Sequence, residues 1–384
     1  MYVEGVVLQD FRAIAASQVP FVHPGSADAT GLRLPNVNLV VGANGSGKST
    51  VLKAVAAVLD MARSSRTPEG ASGWPRIGGT RDAVARLRLS STVDAAEFDR
   101  QIALRIPRDD PADLTVTVGA ADSDLEPTGF VVTYGSFRGT QDIRFLRNEL
   151  VDRAPHLLFE NADLVPLEQW LPEARHRNEV LGLLNALLPD DIKCLEQPDR
   201  EGHFLAQRGI ALPIGALSDG VRSFLAWMGD LLAQLDEIAE RLIVDVEGIV
   251  LVDEIDQRMH PRWQQMVLPR LGSTFPALQF ICTAHSPLLP SGLQRENLIL
   301  VEPDPDFPGE GATKASRLTT EDVYGRTADQ VLESSYFGLP STRSEPFWEE
   351  LRAVAGRAQT KQGGREAALE FMRRLADPNR LNGR

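Results

Sequence analysis

Positive charge is in short supply: 40 Lys and Arg face 53 Asp and Glu in the 384 residues, a formal net charge of −13. That deficit excludes a wholly basic protein that coats nucleic acid, and adhesion to an anionic membrane surface, while leaving room for local basic patches. Cysteine is equally scarce. Cys194 and Cys282 form no metal-binding or redox spacing, and each lies in an apolar neighbourhood, which points to a reduced, cytoplasmic setting. No run approaches the roughly 18–20 consecutive apolar residues that span a bilayer, so no membrane role is expected. The opening MYVEGVVLQDFRAI lacks the positive stretch of a signal peptide and reads as a strand entering a fold. Internal repeats are absent, and no heptad pattern continues over three or four repeats. What is present, 43% apolar and 24% charged residues, suffices for two or three compact units at ~100–200 residues each.

Apolar periodicity organises the chain. Val3–Leu8 and Val37–Val41 read as strands, and STVLKAVAAVLDMAR sets Val51, Leu52, Val55, Val58 and Leu59 on one helical face. Residues 65–80, rich in Gly, Pro and Ser, read as a loop. Four β-like runs over about 84–135 (VARLRLSSTV, FDRQIALRI, LTVTVGA, GFVVTYG) predict an antiparallel subdomain. A helical insertion is expected over about 138–216. Next, VRSFLAWMGDLLAQLDEIAERL predicts a long helix with Phe224, Leu225, Met228, Leu231, Leu232, Leu235, Ile238 and Leu242 on one stripe. GIVLVDE, RWQQMVLPRL, LQFICTAHS and NLILVEP then alternate strand and helix, which implies α/β architecture with a mostly parallel core sheet. The expected division is a unit over 1–310 and a C-terminal helical region over 311–384 that could bind a partner.

GANGSGKS, Gly42–Ser49, matches GxxxxGK(S/T) in full, after an apolar strand and before a helix. Its glycines, Gly42, Gly45 and Gly47, let backbone N–H groups of Ala43, Asn44, Ser46 and their neighbours curl around phosphate oxygens where a Cβ would obstruct. A helix N-terminus stabilises an anion by only about 0.3–1 kcal/mol, whereas micromolar nucleotide binding requires about 8 kcal/mol. Lys48 on the β- and γ-phosphates, the N–H cradle, and Mg²⁺ held by Ser49 must therefore supply most of the affinity for ATP, with Thr50 assisting at the α-phosphate.

Asp253 and Glu254 leave an apolar strand at its carboxyl end, where open α/β sheets bind ligands. Asp253 suits a magnesium shell, and Glu254 is placed to polarise an attacking water as general base. LSDG, Leu217–Gly220, precedes the long helix, with Ser218 reading as its N-cap.

The order of these motifs resembles an ABC-type AAA-family ATPase head of the RecF/OLD/SMC branch, and more narrowly the standalone ATPases of bacterial defence loci, the Septu type included. LQDFRAI, GANGSGKST, VVTYGSFR, LSDGVRSFLAWMGDLL, GIVLVDEIDQRMHPRWQQMVLPRL, FPALQFICTAHSPLL and TADQVLESSYFGLPSTR carry the likeness. It implies a P-loop α/β fold and a head-to-tail homodimer with composite ATP sites, in which Ser218 and Gly220 reach the γ-phosphate bound by the other subunit. It also implies that Asp256 lies in a loop communicating across that dimer, and that His285 is the histidine sensing γ-phosphate. Departures are LSDGV for LSGGQ and DEID for the DEPT of a transporter. At the Q-loop, Gln141, Arg138 or neither approaches magnesium.

No coiled coil of SMC length fits between the Q-loop region and LSDG. A TOPRIM nuclease of the OLD kind would need a companion glutamate beside Asp304 and Asp306, which form DPD between prolines and read as a solvated acidic loop. An effector, such as an HNH-type nuclease, is then expected to be a separate protein gated by ATP-driven dimer closure and opening. The alternative is a RecF-like ATPase of recombination or repair, binding DNA through Arg138, Arg144 and Arg147 or Arg373 and Arg374. A transporter ATPase fits least.

Overall fold

The computed structural model describes residues 1–26, 29–64, 70–90, 100–111, 113–118, 129–136, 157–158, 164–307, 311–318, 321–358 and 369. In chain order the elements are β1 (Tyr2–Phe11), β2 (Ile14–Pro20), β3 (Val37–Gly42), α1 (Lys48–Ser64), β4 (Ala83–Ser90), β5 (Arg100–Ile106), β6 (Thr115–Val118) and β7 (Phe130–Tyr134). There follow α2 (Leu167–Trp170), α3 (Arg177–Leu187), β8 (Ile192–Cys194), β9 (Leu205–Gln207), β10 (Ile210–Leu212) and α4 (Asp219–Ile238). The last are β11 (Gly248–Val252), α5 (Pro261–Thr274), β12 (Leu278–Thr283), β13 (Leu298–Pro303), β14 (Thr313–Ser316), α6 (Ala328–Leu332) and α7 (Glu345–Ala358). They fall into two compact units, Met1–Val331 and Leu332–Arg384. Among the described residues no helix is long and apolar enough to cross a membrane.

One sheet of eleven strands dominates the first unit, in the order β6-β5-β4-β1-β2-β14-β13-β3-β12-β11-β7. From β13 to β7 every neighbouring pair is parallel. From β6 to β2 every pair is antiparallel. The side-chain patterns explain the division. VNLVVG, GIVLV and LQFICT are buried at every position, as strands covered on both faces must be. AVARLRLS alternates buried Ala83, Ala85, Leu87 and Leu89 with exposed Arg86 and Arg88, so that half of the sheet has one wet face. Helix α1 buries Val51, Leu52, Val55, Val58 and Leu59 in the core cluster against the sheet. At roughly 1.5–3 kcal/mol for each fully buried side chain, that face fixes the helix behind the phosphate loop. The expected P-loop α/β fold with a mostly parallel core is the observed one.

Four details of the fold differ from the expectation, and the first lies in the C-terminal region: within the expected helical stretch 311–384, Thr313–Ser316 is strand β14 of the large sheet, and the first compact unit runs on to Val331. The fourth β-like run, Phe130–Tyr134, does not join β4, β5 and β6; it pairs parallel to β11 at the opposite edge of the sheet. A short apolar run carries no mark of its partner's direction, which is why spacing alone misplaced it. Within the expected helical insertion, residues 138–156 lie outside the described residues. The rest holds α2 and α3 but also a separate antiparallel sheet of β8, β9 and β10. The long helix ends at Ile238, because Ala239 turns to extended backbone (φ −64, ψ 123). Ile238 and Leu242, expected on the stripe, are accordingly 45% and 50% exposed.

Candidate functional site

The carboxyl ends of β3, β12 and β11, side by side in the sheet, bring the motif residues together. At the end of β3 the chain turns through Gly42 (φ 148), Gly45 (φ 75) and Gly47 (φ 105). A Cβ on Gly42 would lie 2.2 Å from the Val301 carbonyl oxygen, so only glycine fits where the loop leaves the sheet. Ala43, Asn44 and Gly45 are exposed, whereas Ser46, Lys48 and Thr50 are buried. The N–H groups of Thr50 and Val51 both turn to the Gly47 carbonyl, which leaves those of Lys48 and Ser49 at the open N-terminus of α1. The Lys48 ammonium donates to the carbonyls of Gly42 and Ala43, 3.0 Å each. Burial holds it below the ordinary lysine range, while Asp253, Glu254 and Asp256 pull it the other way.

A hydrogen-bond chain runs from this loop to the acidic pair. Ser49 Oγ donates to Asp253 Oδ1 (2.9 Å), and Thr283 Oγ1, at the end of β12, donates to the same oxygen (2.5 Å). The Glu254 N–H donates to Thr283 Oγ1 (2.7 Å). Glu254 itself takes left-handed backbone (φ 48), a conformation a non-glycine residue adopts under constraint. Its Oε1 faces His285 Nε2 at 3.8 Å. Thr283 touches both members of the pair, a role that no motif spacing in the sequence announces.

Asp256 is buried, and its Oδ2 accepts the N–H groups of His285 (3.1 Å) and Ser286 (2.7 Å). Ser286 Oγ donates to Gln264 Oε1 (2.7 Å), and Gln264 Nε2 donates to the Asp256 and Met259 carbonyls. The turn bearing His285 is thereby tied to the loop after β11. The helix α4 is tied as firmly: Asp230, fully buried, accepts from Tyr134 Oη at the end of β7 (2.9 Å) and from the Val165 N–H (2.9 Å). An aspartate inside an apolar stripe was the available signal for this contact.

Ser218 and Gly220 are not part of this cluster. Ser218 stands at the N-cap of α4, exposed and with no side-chain capping bond. Gly220 is buried, and a Cβ there would lie 2.1 Å from the Arg258 carbonyl oxygen. Both line a separate pocket of about 480 Å³ that includes Arg258 and Arg262 and no residue of 42–50. Gln141, Arg138, Arg144, Arg147, Arg373 and Arg374 lie outside the described residues. Asp304 is not solvated as expected: it is buried, and its Oδ1 accepts the Asp306 N–H (3.0 Å), which makes DPD a structural turn.

The protein-family profile described as "AAA domain, putative AbiEii toxin, Type IV TA system" matches residues 37–291, which include every motif from the phosphate loop to His285. The Septu protein PtuA of Bacillus mycoides (strain KBAB4) is 24% identical over 351 residues, 89% of this chain and 45% of that protein. The "Retron Ec83 probable ATPase" of Escherichia coli is 37% identical over 98 residues, 25% of this chain and 18% of that protein. The chain thus spans less than half the length of these curated relatives. A solved structure of the SmcHead bound to the C-winged helix domain of ScpA shares 18% identity, covering 84% of this chain and 98% of that one with a TM-score of 0.49.

Proposed function

This chain belongs to the AAA-domain ATPase family matched over residues 37–291, and on that premise we propose that it couples magnesium-dependent ATP hydrolysis to closure and opening of a head-to-tail homodimer. The observation that carries this reading is the chain Ser49–Asp253–Thr283–Glu254, which joins the phosphate loop to the acidic pair. ATP would lie with its phosphates in the cradle of Gly42–Thr50. There Lys48 would exchange its two carbonyl acceptors for β- and γ-phosphate oxygens, which bind an ammonium more strongly.

The Ser49 hydroxyl and the Asp253 carboxylate are hard oxygen donors 2.9 Å apart, a set that suits Mg²⁺ and not a soft metal. These two residues would hold it, directly or through water, and when bound it offsets charge on the β- and γ-oxygens. Glu254, fixed through its N–H by Thr283, takes a proton from the attacking water as the water oxygen bonds to the γ-phosphorus. The bond from that phosphorus to the bridging oxygen breaks, and its electron pair leaves on ADP. His285, 3.8 Å from Glu254, would sense the γ-phosphate.

Ser218 and Gly220, apart from the subunit's own phosphate loop, would complete the site of the other subunit. The closed dimer would gate a separate effector in a bacterial defence-type system, an HNH-type nuclease for example, with residues 311–384 a candidate partner-binding region. Glu254→Gln is expected to bind ATP as wild type does and to lose turnover by about 10²–10⁴-fold. Wild-type turnover in this variant would remove Glu254 as the base. Chelation of Mg²⁺ is expected to abolish turnover in the wild type.

A further inference from the structure

The pocket beside Ser218 carries charge that the proposed cycle has not used. It opens between the N-termini of α4 and α5, and Arg258 and Arg262 project from its rim alongside Ser218 and Gly220. Neighbouring arginines are already engaged: Arg222 by Asp219, Arg270 by Asp190 at 2.7 Å and Arg208 by Asp191 at 3.8 Å. Arg258 is exposed; among the described residues Asp219 feels its charge, but no acid lies within ion-pair distance of it.

The backbone of Arg258 is the second observation. Its φ is 59, left-handed, the conformation that glycine adopts freely and other residues avoid. Its carbonyl packs so closely on Gly220 that no side chain fits between them. A long cationic side chain is therefore held in a strained position at the first turn of α4, and such strain clusters at functional sites. The same short loop begins at Glu254, another of the five non-glycine residues with left-handed backbone among the described residues, in the subunit's own site. One end of residues 254–258 thus borders the phosphate loop, and the other borders the pocket of Ser218.

We propose that Arg258 is a catalytic residue acting across the dimer: its guanidinium joins Ser218 on the γ-phosphate of ATP held in the phosphate loop of a second copy of this chain. This rests on the head-to-tail reading above. A planar, permanently charged fork pairs with two phosphate oxygens at once, and it stabilises the charge that develops as the γ-phosphorus is attacked. Water is still deprotonated by Glu254 of the subunit that holds the nucleotide, and ADP leaves from the same subunit. Because Arg258 contacts Gly220 through its own carbonyl, movement of the loop would also shift the start of α4.

The test is complementation between two inactive variants. Arg258→Gly removes the side chain at a φ that glycine prefers, so it should fold; unchanged ATP binding at its own phosphate loop checks this. Its turnover should fall about 10³-fold or more, and Arg258→Lys, lacking the fork, should restore only part of it. Lys48→Ala is also expected to be inactive. Mixing the two should recover turnover, because the Lys48→Ala subunit supplies Arg258 to the intact phosphate loop of the other. A parallel mixture of Ser218→Arg with Lys48→Ala reports the head-to-tail dimer itself. Recovery with Ser218→Arg but none with Arg258→Gly would overturn the role of Arg258. Wild-type turnover of Arg258→Gly alone would do so too. No recovery in either mixture would overturn the head-to-tail reading and this proposal with it.

Discussion

At Thr283 a single hydroxyl donates to Asp253 Oδ1 and accepts the Glu254 N–H. Its removal in Thr283→Val leaves the N–H of Glu254 without its partner in a partly buried place. The expected cost is about 1–3 kcal/mol in urea unfolding, with turnover lost in parallel. Thr283→Ser, which keeps the hydroxyl, should restore both. Equal stability and turnover for valine would show that the chain of hydrogen bonds is incidental. The contrast between Thr283 and the phosphate loop shows what a sequence can reveal at this scale. Gly42–Ser49 is one contiguous motif whose spacing states its chemistry. Thr283 acts on residues about thirty positions away, and only the adjacency of β11 and β12 brings it there. The left-handed backbone of Glu254 and Arg258 has no sequence signal either, since neither is the glycine, asparagine or aspartate that usually marks it.

Among the elements, α4 is the one whose placement matters most for the proposed cycle. Asp230 ties it to the end of β7, and Gly220 seats its first turn on the Arg258 carbonyl. Gly220→Ala would place a Cβ 2.1 Å from that backbone oxygen, and backbone cannot swing aside as a flexible side chain does. A loss of about 1–3 kcal/mol is expected in thermal or urea unfolding, and turnover should fall while ATP binding at the phosphate loop persists. Gly215→Ala, where nothing lies within 4 Å of the added Cβ, is the control and should change neither. Helices α1, α4 and α5 are legible in the sequence because an apolar stripe repeats over two or more turns. The direction of β7 is not: five apolar and polar residues fit either half of the sheet, and the choice is made by β11, more than a hundred residues later. The small sheet of β8, β9 and β10 escaped for a related reason. Its strands are three residues each, too short for any period to show.

The net charge of −13 bears on the molecule as a whole. It does not oppose the proposed ATP site, which would draw on local N–H groups, Lys48 and a metal. It does bear on the choice between a partner gate and a DNA clamp. On the wet face of the antiparallel half, Arg88 and Arg105 are paired with Glu4 and Asp82, 2.6 Å each. On the partner-gating account, ATP-dependent binding to duplex DNA is expected to be absent even at low salt. A clamp would instead bind and lose about 10³–10⁵ in affinity between 50 and 200 mM salt, and that result would favour the repair reading. The central claim, that ATP closes two copies of this chain on shared sites, is tested most directly by the mass of Glu254→Gln in solution with and without ATP and Mg²⁺. One chain without nucleotide and two with it is the expected result. A single chain that has bound ATP at saturating concentration and remains monomeric would contradict it.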